Sequence, residues 1–333
     1  MILRMKIKCA IIGLGFWGKI FLEKISRSRD FELVAVSTRS NAQKGLGNIK
    51  IYPTAEELIA QSGAEFIFIL TSLEKHLSLS EMALSANKNI FLTKPLTPKL
   101  ADSIKLKKLA QKKSKKIFVD HTFLFNQDFL KFMTMTSSQK ILNLSSLRTQ
   151  FGRFQKGSDV LGELLYHDIY MSLALMSGHK PKAIKATGLK LHGQDLDQCA
   201  LTIEFQNSAG SKVKVATTAE LFASMNFIQK QKSMSVLTKD KIISWQDMAP
   251  SIMTEAKYKY GFGAEAELSS PQKTLRPWPP HKDAVEEMLK HIAACLHKGK
   301  ESRLIGIDQG IEVMRIIEAA RKSAQSGGKK VRI

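Results

Sequence analysis

Ile7-Lys-Cys-Ala-Ile-Ile12 followed by Gly13-Leu-Gly-Phe-Trp-Gly18 is the stretch on which the reading of this chain turns. The first half is a short apolar run that reads as a strand; the second is a GxGxxG that opens a helix-like segment. In that context each glycine has separate work. Gly13 makes the tight turn, Gly15 lets the backbone approach a pyrophosphate, and Gly18 lets the helix lie close on the strand. The helix start would offer N–H groups and a positive dipole end to phosphates. Phe16 and Trp17, inside the turn, are taken with the glycines as contacts to a bound dinucleotide, with simple packing as the alternative for Trp17.

Working outward, apolar runs at 32–37, 49–52, 66–71, 89–93 and 116–120 alternate with helix-like segments at 17–26, 55–60, 75–86 and 98–113. That alternation predicts an α/β unit, a doubly wound Rossmann-type parallel sheet, over 1–123. Thr54, ahead of Glu56 and Glu57, is a candidate N-cap. From 124 to 333 the rhythm changes. A helix at 127–137, a strand at 141–150 and a helical run at 160–177 lead into strands at 183–191, 199–206, 212–219, 226–229 and 242–245. These predict an α+β domain with a mostly antiparallel open sheet. Residues 254–280 read as irregular, and helices at 283–298 and 308–324 close the chain.

The second strand decides which dinucleotide. An NAD site usually carries an acid there for the ribose hydroxyls. Here Leu33-Val-Ala-Val36 runs into Ser37-Thr-Arg-Ser40, with no carboxylate. Ser37 and Thr38 as hydrogen-bond donors and Arg39 as a phosphate partner predict NADP(H) in preference to NAD(H); the alternative for Arg39 is an ordinary surface residue. Thr71, at the end of the fourth run, completes the expected cofactor contacts.

With 333 residues, 44% hydrophobic and 24% charged, the chain suits a folded two-domain protein. Its three cysteines, Cys9, Cys199 and Cys295, are widely spaced. They predict no disulfide framework or metal site and fit a reducing, cytoplasmic compartment. No uncharged apolar run has the roughly 18 residues of a membrane span. The net charge of +21 attracts anions. Much of it lies on a lysine-rich helix face at 105–116, and no nucleic-acid module or aromatic interleaving accompanies it, so no nucleic-acid partner is expected.

Phe91-Leu-Thr-Lys-Pro-Leu96 resembles the Glu-Lys-Pro strand end of the Gfo/Idh/MocA oxidoreductases, which include glucose–fructose oxidoreductase and inositol dehydrogenase. Asp120-His-Thr-Phe-Leu-Phe-Asn126 is similar to that family's entry to its second domain. Phe151-Gly-Arg-Phe-Gln155 with Val160-Leu-Gly-Glu-Leu-Leu-Tyr-His-Asp168 resembles its "GRF…VLWDLAPHD" segment. The wording is nearest a subgroup linked with sugar-nucleotide and surface-polysaccharide biosynthesis. The resemblance implies an NAD(P)-dependent enzyme moving hydride between nicotinamide and a secondary alcohol or ketone of a sugar or sugar nucleotide, without a metal; the basic charge favours an anionic one. The same resemblance places Lys94, His167 and Glu163 around the reacting carbon: Lys94 and His167 for the proton, Glu163 to orient or grip. It further implies a cis Lys94–Pro95 bond with Pro95 beside the cofactor, and a homodimer or homotetramer. His121, Asn126, Arg153 and Tyr166 are the expected substrate contacts. Arg148 and Arg153 could each hold a substrate anion or form a surface salt bridge. His76 and Asp168 are read as structural.

The chain departs from the pattern where Glu becomes Thr93, where Asp becomes the longer Glu163, and at Leu165 and Tyr166. Thr93 and Glu163 keep open an alternative of another class: a dinucleotide-binding sensor or scaffold that has lost turnover.

Overall fold

The computed structural model describes residues 5–38, 47, 49–137, 139–152, 159–192, 195–206, 217–248, 251–259, 267–275 and 282–333. Two compact units result: Met1–Phe125 with Lys282–Met314, and Asn126–His281 with Arg315–Ile333.

In the first unit the apolar runs become parallel strands, β1 (Ile7–Ile12), β2 (Phe31–Ser37), β3 (Lys50–Tyr52), β4 (Phe66–Ile69), β5 (Asn89–Leu92) and β6 (Ile117–Val119). They lie in the order β3-β2-β1-β4-β5-β6, a doubly wound Rossmann sheet whose order reverses between β1 and β4. Helices α1 (Phe16–Ser26), α2 (Ala55–Gln61), α3 (His76–Ser85) and α4 (Leu100–Lys112) link them. β4 reads Phe-Ile-Phe-Ile because all of it is buried, as expected for a parallel strand covered on both faces. Phe68 stands within 5.6–5.7 Å (ring centroids) of Phe21, Phe31 and Phe91, and 4.8 Å from Phe66. Thr54 caps α2 as expected, its hydroxyl accepting from Glu57 N–H at 3.2 Å. Helix α7 (Ala284–His297) also belongs to this unit; Asp283 caps it and shares Lys24 of α1 with Glu286 at 2.9 and 3.1 Å.

The second unit holds α5 (Gln127–Thr136), α6 (Tyr166–Leu175) and strands β7 (Asn143–Phe151), β8 (Pro181–Leu189), β9 (Gln198–Phe205), β10 (Thr218–Ser224), β11 (Asn226–Leu237), β12 (Lys241–Gln246), β13 (Ile252–Lys259) and β14 (Glu267–Leu275). A two-residue β15 (Val331–Arg332) follows α8 (Ile307–Gln325), a helix that contributes to both units. The sheet order is β14-β13-β12-β11-β7-β10-β9-β8-β15, antiparallel except where β10 runs parallel to β7. Trp245 of β12 is buried against Phe129 and Phe132 of α5.

The structure corrects three strand readings. The strand expected to end at 219 runs on to Ser224 in β10 (Thr218–Ser224), where half-buried Phe222 on the outer face blurs the alternation; 207–216 lie outside the described residues. β11 continues to Leu237, through a polar stretch whose inward residues are Met234 and Val236. Part of the supposedly irregular 254–280 forms β13 and β14. The buried residues Met253, Ala256 and Tyr258 are unevenly spaced along β13, which hides the period of two. Residues 276–280 lie outside the described residues.

Phe68→Ala removes the ring on which four other phenylalanines converge. It should lower unfolding stability by about 3–5 kcal/mol in urea titration.

Candidate functional site

At the switch between β1 and β4 the chain turns at Gly13, whose φ is +96°. A Cβ there would stand 2.6 Å from the Leu70 carbonyl oxygen, and one on Gly18 would stand 2.1 Å from the Gly13 oxygen. Both positions therefore demand glycine. At Gly15 the requirement is of another kind, because no atom lies within 4 Å of where a Cβ would be. The N-terminus of α1 has no side-chain cap and no acid in its first turn. Its free N–H groups thus face solvent-accessible space, ready for an anion.

A cleft of about 720 Å³ opens over this turn. Gly13, Gly15, Phe16 and Trp17 form one wall, with Ser37 and Thr38 from the end of β2 and Thr71 and Thr93 from beyond β4 and β5. Phe16 and Trp17 are 69% and 39% exposed and meet edge to face at 5.6 Å. Gly18 lies behind the turn and is buried. The Gly13 N–H donates to the Ser37 carbonyl at 2.9 Å, which ties the turn to β2. Arg39 lies outside the described residues.

The sequence reading missed other parts of the wall: Pro53 to Glu56, Ser72, Lys75 and Leu79. Pro53 to Glu56 follow β3, and Ser72, Lys75 and Leu79 follow β4; that these turns face one crevice with the turn after β1 emerges only from the strand order. Glu56 brings a carboxylate and Lys75 an ammonium, both from outside the second strand.

Lys94 follows Thr93, is half-buried, and is joined to buried Pro95 by a cis peptide bond. Neither residue is among those lining the cleft. The Lys94 charge reaches Asp120. Burial pushes the Asp120 carboxyl above the usual carboxylate range, while hydrogen bonds from the Thr122 N–H and hydroxyl and the Lys94 charge oppose the rise. His121 is wholly buried at the end of the same strand, 3.5 Å from the Leu304 carbonyl, and burial lowers its pKa to about 3. Asn126 caps α5, its side-chain oxygen accepting from Asp128 and Phe129 N–H at 2.9 and 3.1 Å. His76 does more than pack its own helix: it lies behind Thr93, in contact with Thr93 and with the Pro95 and Leu96 carbonyls.

In the second unit, residues 159–172 are buried with two exceptions, Glu163 and His167. Glu163 lies in a π-helical turn, Leu161–Leu165, that runs directly into α6 and His167. Such turns concentrate at functional sites because they re-aim side chains within a helix. His167 Nδ1 lies 3.1 Å from the hydroxyl of buried Tyr170. That contact holds the ring from its Nδ1 side. Behind it Arg148 of β7 grips Asp168 through two hydrogen bonds of 2.8 and 2.9 Å, both residues buried. Burial alone would lower the Arg148 pKa, but the Asp168 carboxylate carries it above its ordinary value. Of the two roles open to Arg148, the structure shows the salt bridge. Tyr166 is wholly buried, and Arg153 lies outside the described residues. Among the described residues there is no group of three or more potential metal ligands, and no helix is long and apolar enough to cross a membrane.

Two sequence-family models match: the oxidoreductase family, NAD-binding Rossmann fold, over residues 7–121, and its C-terminal alpha/beta domain over residues 148–333. An uncharacterized oxidoreductase of Schizosaccharomyces pombe is 27% identical over 45% of this chain and 42% of its own length. The scyllo-inositol 2-dehydrogenase (NADP(+)) IolW of Bacillus subtilis is 19% identical over 96% of this chain and 94% of its own. Among solved structures, UDP-N-acetylglucosamine 3-dehydrogenase GnnA from Acidithiobacillus ferrooxidans superposes with a TM-score of 0.77. That match is 17% identical and covers 97% of this chain and 99% of that one. At this identity it shows a shared fold.

Asp168→Ala strands a buried guanidinium. It should cost about 3–5 kcal/mol of unfolding free energy, measured by urea denaturation, whereas a surface pair such as Lys322–Glu318 should cost under about 1.

Proposed function

The chain belongs to the Gfo/Idh/MocA oxidoreductase family, and we propose that it transfers hydride between nicotinamide and a secondary alcohol or ketone of a sugar or sugar nucleotide. The observation that carries this reading is the pair Glu163 and His167, the residues that reach the surface in an otherwise buried run. A helix that buries everything around an acid and an imidazole four residues apart presents those two groups and little else.

The nicotinamide cofactor supplies the hydride donor or acceptor carbon; the remaining chemistry is this chain's. The uncapped α1 N-terminus and the open space at Gly15 suit the pyrophosphate. Ser37, Thr38 and Arg39 hold a 2′-phosphate, giving NADP(H) over NAD(H). In the oxidative direction a neutral His167 takes the hydroxyl proton at Nε2, its ring oriented by Tyr170 at Nδ1. Glu163 grips a neighbouring substrate hydroxyl, and the Lys94 ammonium polarises the carbinol oxygen. The net positive charge of the chain favours an anionic substrate through steering. Relatives named for inositol and UDP-N-acetylglucosamine dehydrogenation support a ring alcohol of a polyol or sugar nucleotide as the reacting group.

Single-turnover reduction of NADP(+) against a panel of inositols and sugar nucleotides tests the proposal. Lys94→Ala and His167→Ala should each slow hydride transfer about a hundredfold or more; turnover indifferent to both would sink it. Arg39→Asp should reverse the cofactor preference, read as the ratio of kcat/KM for the two dinucleotides. A ratio unmoved by the change would remove Arg39 from the site.

A further inference from the structure

Position 93 is where this chain replaces the family's carboxylate, and the structure gives the replacement a specific partner. The His76 imidazole is 1% exposed and Thr93 8%. Nδ1 of the ring lies 3.0 Å from the Pro95 carbonyl oxygen and 3.3 Å from that of Leu96. Nε2 lies 3.2 Å from the Thr93 hydroxyl and 3.2 Å from the Thr71 carbonyl oxygen. One ring therefore touches the chain on both sides of Lys94.

The chemistry of those neighbours sets the ring's proton. Burial lowers the His76 pKa, outweighing the carbonyl contacts and the nearby Glu74 charge. A neutral imidazole has one N–H and one bare nitrogen. Placed on Nε2, the proton would leave Nδ1 bare against two carbonyl oxygens. Placed on Nδ1, it serves both of those oxygens, and the bare Nε2 needs a donor. Thr71 offers only a carbonyl there; Thr93 offers O–H. A glutamate at 93, ionised, could only accept, and would require a proton on Nε2 instead.

We propose that the Thr93 hydroxyl donates to His76 Nε2, fixes the ring as its Nδ1–H form, and makes His76 a positioning residue that holds the main chain on either side of Lys94. The Thr93 side chain meets the ring from before Lys94, and the Pro95 and Leu96 carbonyls accept from it beyond. The role of Lys94 in turnover rests on the reading in the preceding subsection; the ring's protonation form does not.

The test separates the two. Full-length protein carrying 15N-histidine gives long-range 1H–15N correlations that report which ring nitrogen is protonated, with His76 identified by the signal lost in His76→Asn. Wild type and Thr93→Ser should both show Nδ1–H. Thr93→Val, close in shape but without a donor, should shift the ring toward Nε2–H. Its kcat should fall about tenfold, with Thr93→Ser restoring the rate. An Nε2–H or doubly protonated ring in the wild type overturns the proposal. So does a Thr93→Val protein with unchanged tautomer or unchanged kcat. Should no sugar be turned over, the wild-type and Thr93→Ser spectra still decide the ring's form, and they do so even if Thr93→Val fails to fold.

Discussion

Among the glycines of the described residues the tightest approach is main chain against main chain: α1 is laid on the turn after β1 so closely that Gly18 has no room for a single carbon beyond Cα. From this approach the rest of the first unit follows. It aims the uncapped end of α1 along the sheet, and it presses Gly13 against Leu70 at the end of β4. It thereby puts the open Gly15 at the reversal of strand order, where crevices form in open parallel sheets. The phenylalanine cluster beneath supplies the apolar burial that sustains such a contact, since backbone touching backbone contributes little by itself.

In the second unit the equivalent fixed point is electrostatic. Arg148 on β7 and Asp168 on α6 are removed from water together, and a bidentate geometry is what makes that arrangement tolerable. Asp168 is the immediate neighbour of His167, so the ion pair fixes the rotation of the helix that presents the imidazole. The buried Tyr170 then restricts the imidazole itself.

Much of the first unit was legible because its signals are local. The glycine spacing, the continuous apolar runs and the Thr54 cap each depend on residues within a few positions of one another. The second sheet was harder. β11 hides in a polar stretch because its outward face is solvated, and the uneven spacing of buried residues in β13 breaks the alternation that would have announced it. For the site the same division holds. Gly13, Gly15 and Thr71 could be picked out by motif and strand end, but Glu56 and Lys75 enter the cleft from elements whose shared crevice appears only once strand order is known. The roles of His76 and Arg148 depend on partners 17 to 20 positions away, a distance at which no periodicity speaks.

Trp17, on the rim of the glycine turn, and Trp245, sealed beneath the second sheet, occupy opposite optical environments. Of the chain's three tryptophans, Trp278 lies outside the described residues. The emission of the rim indole reads the polarity of the dinucleotide crevice, and energy passed from it to a reduced nicotinamide would show occupancy directly. The buried indole is a blue-shifted reference for the integrity of the other unit. The protein thus carries its own fluorescent gauge of loading and unfolding, with no label to attach.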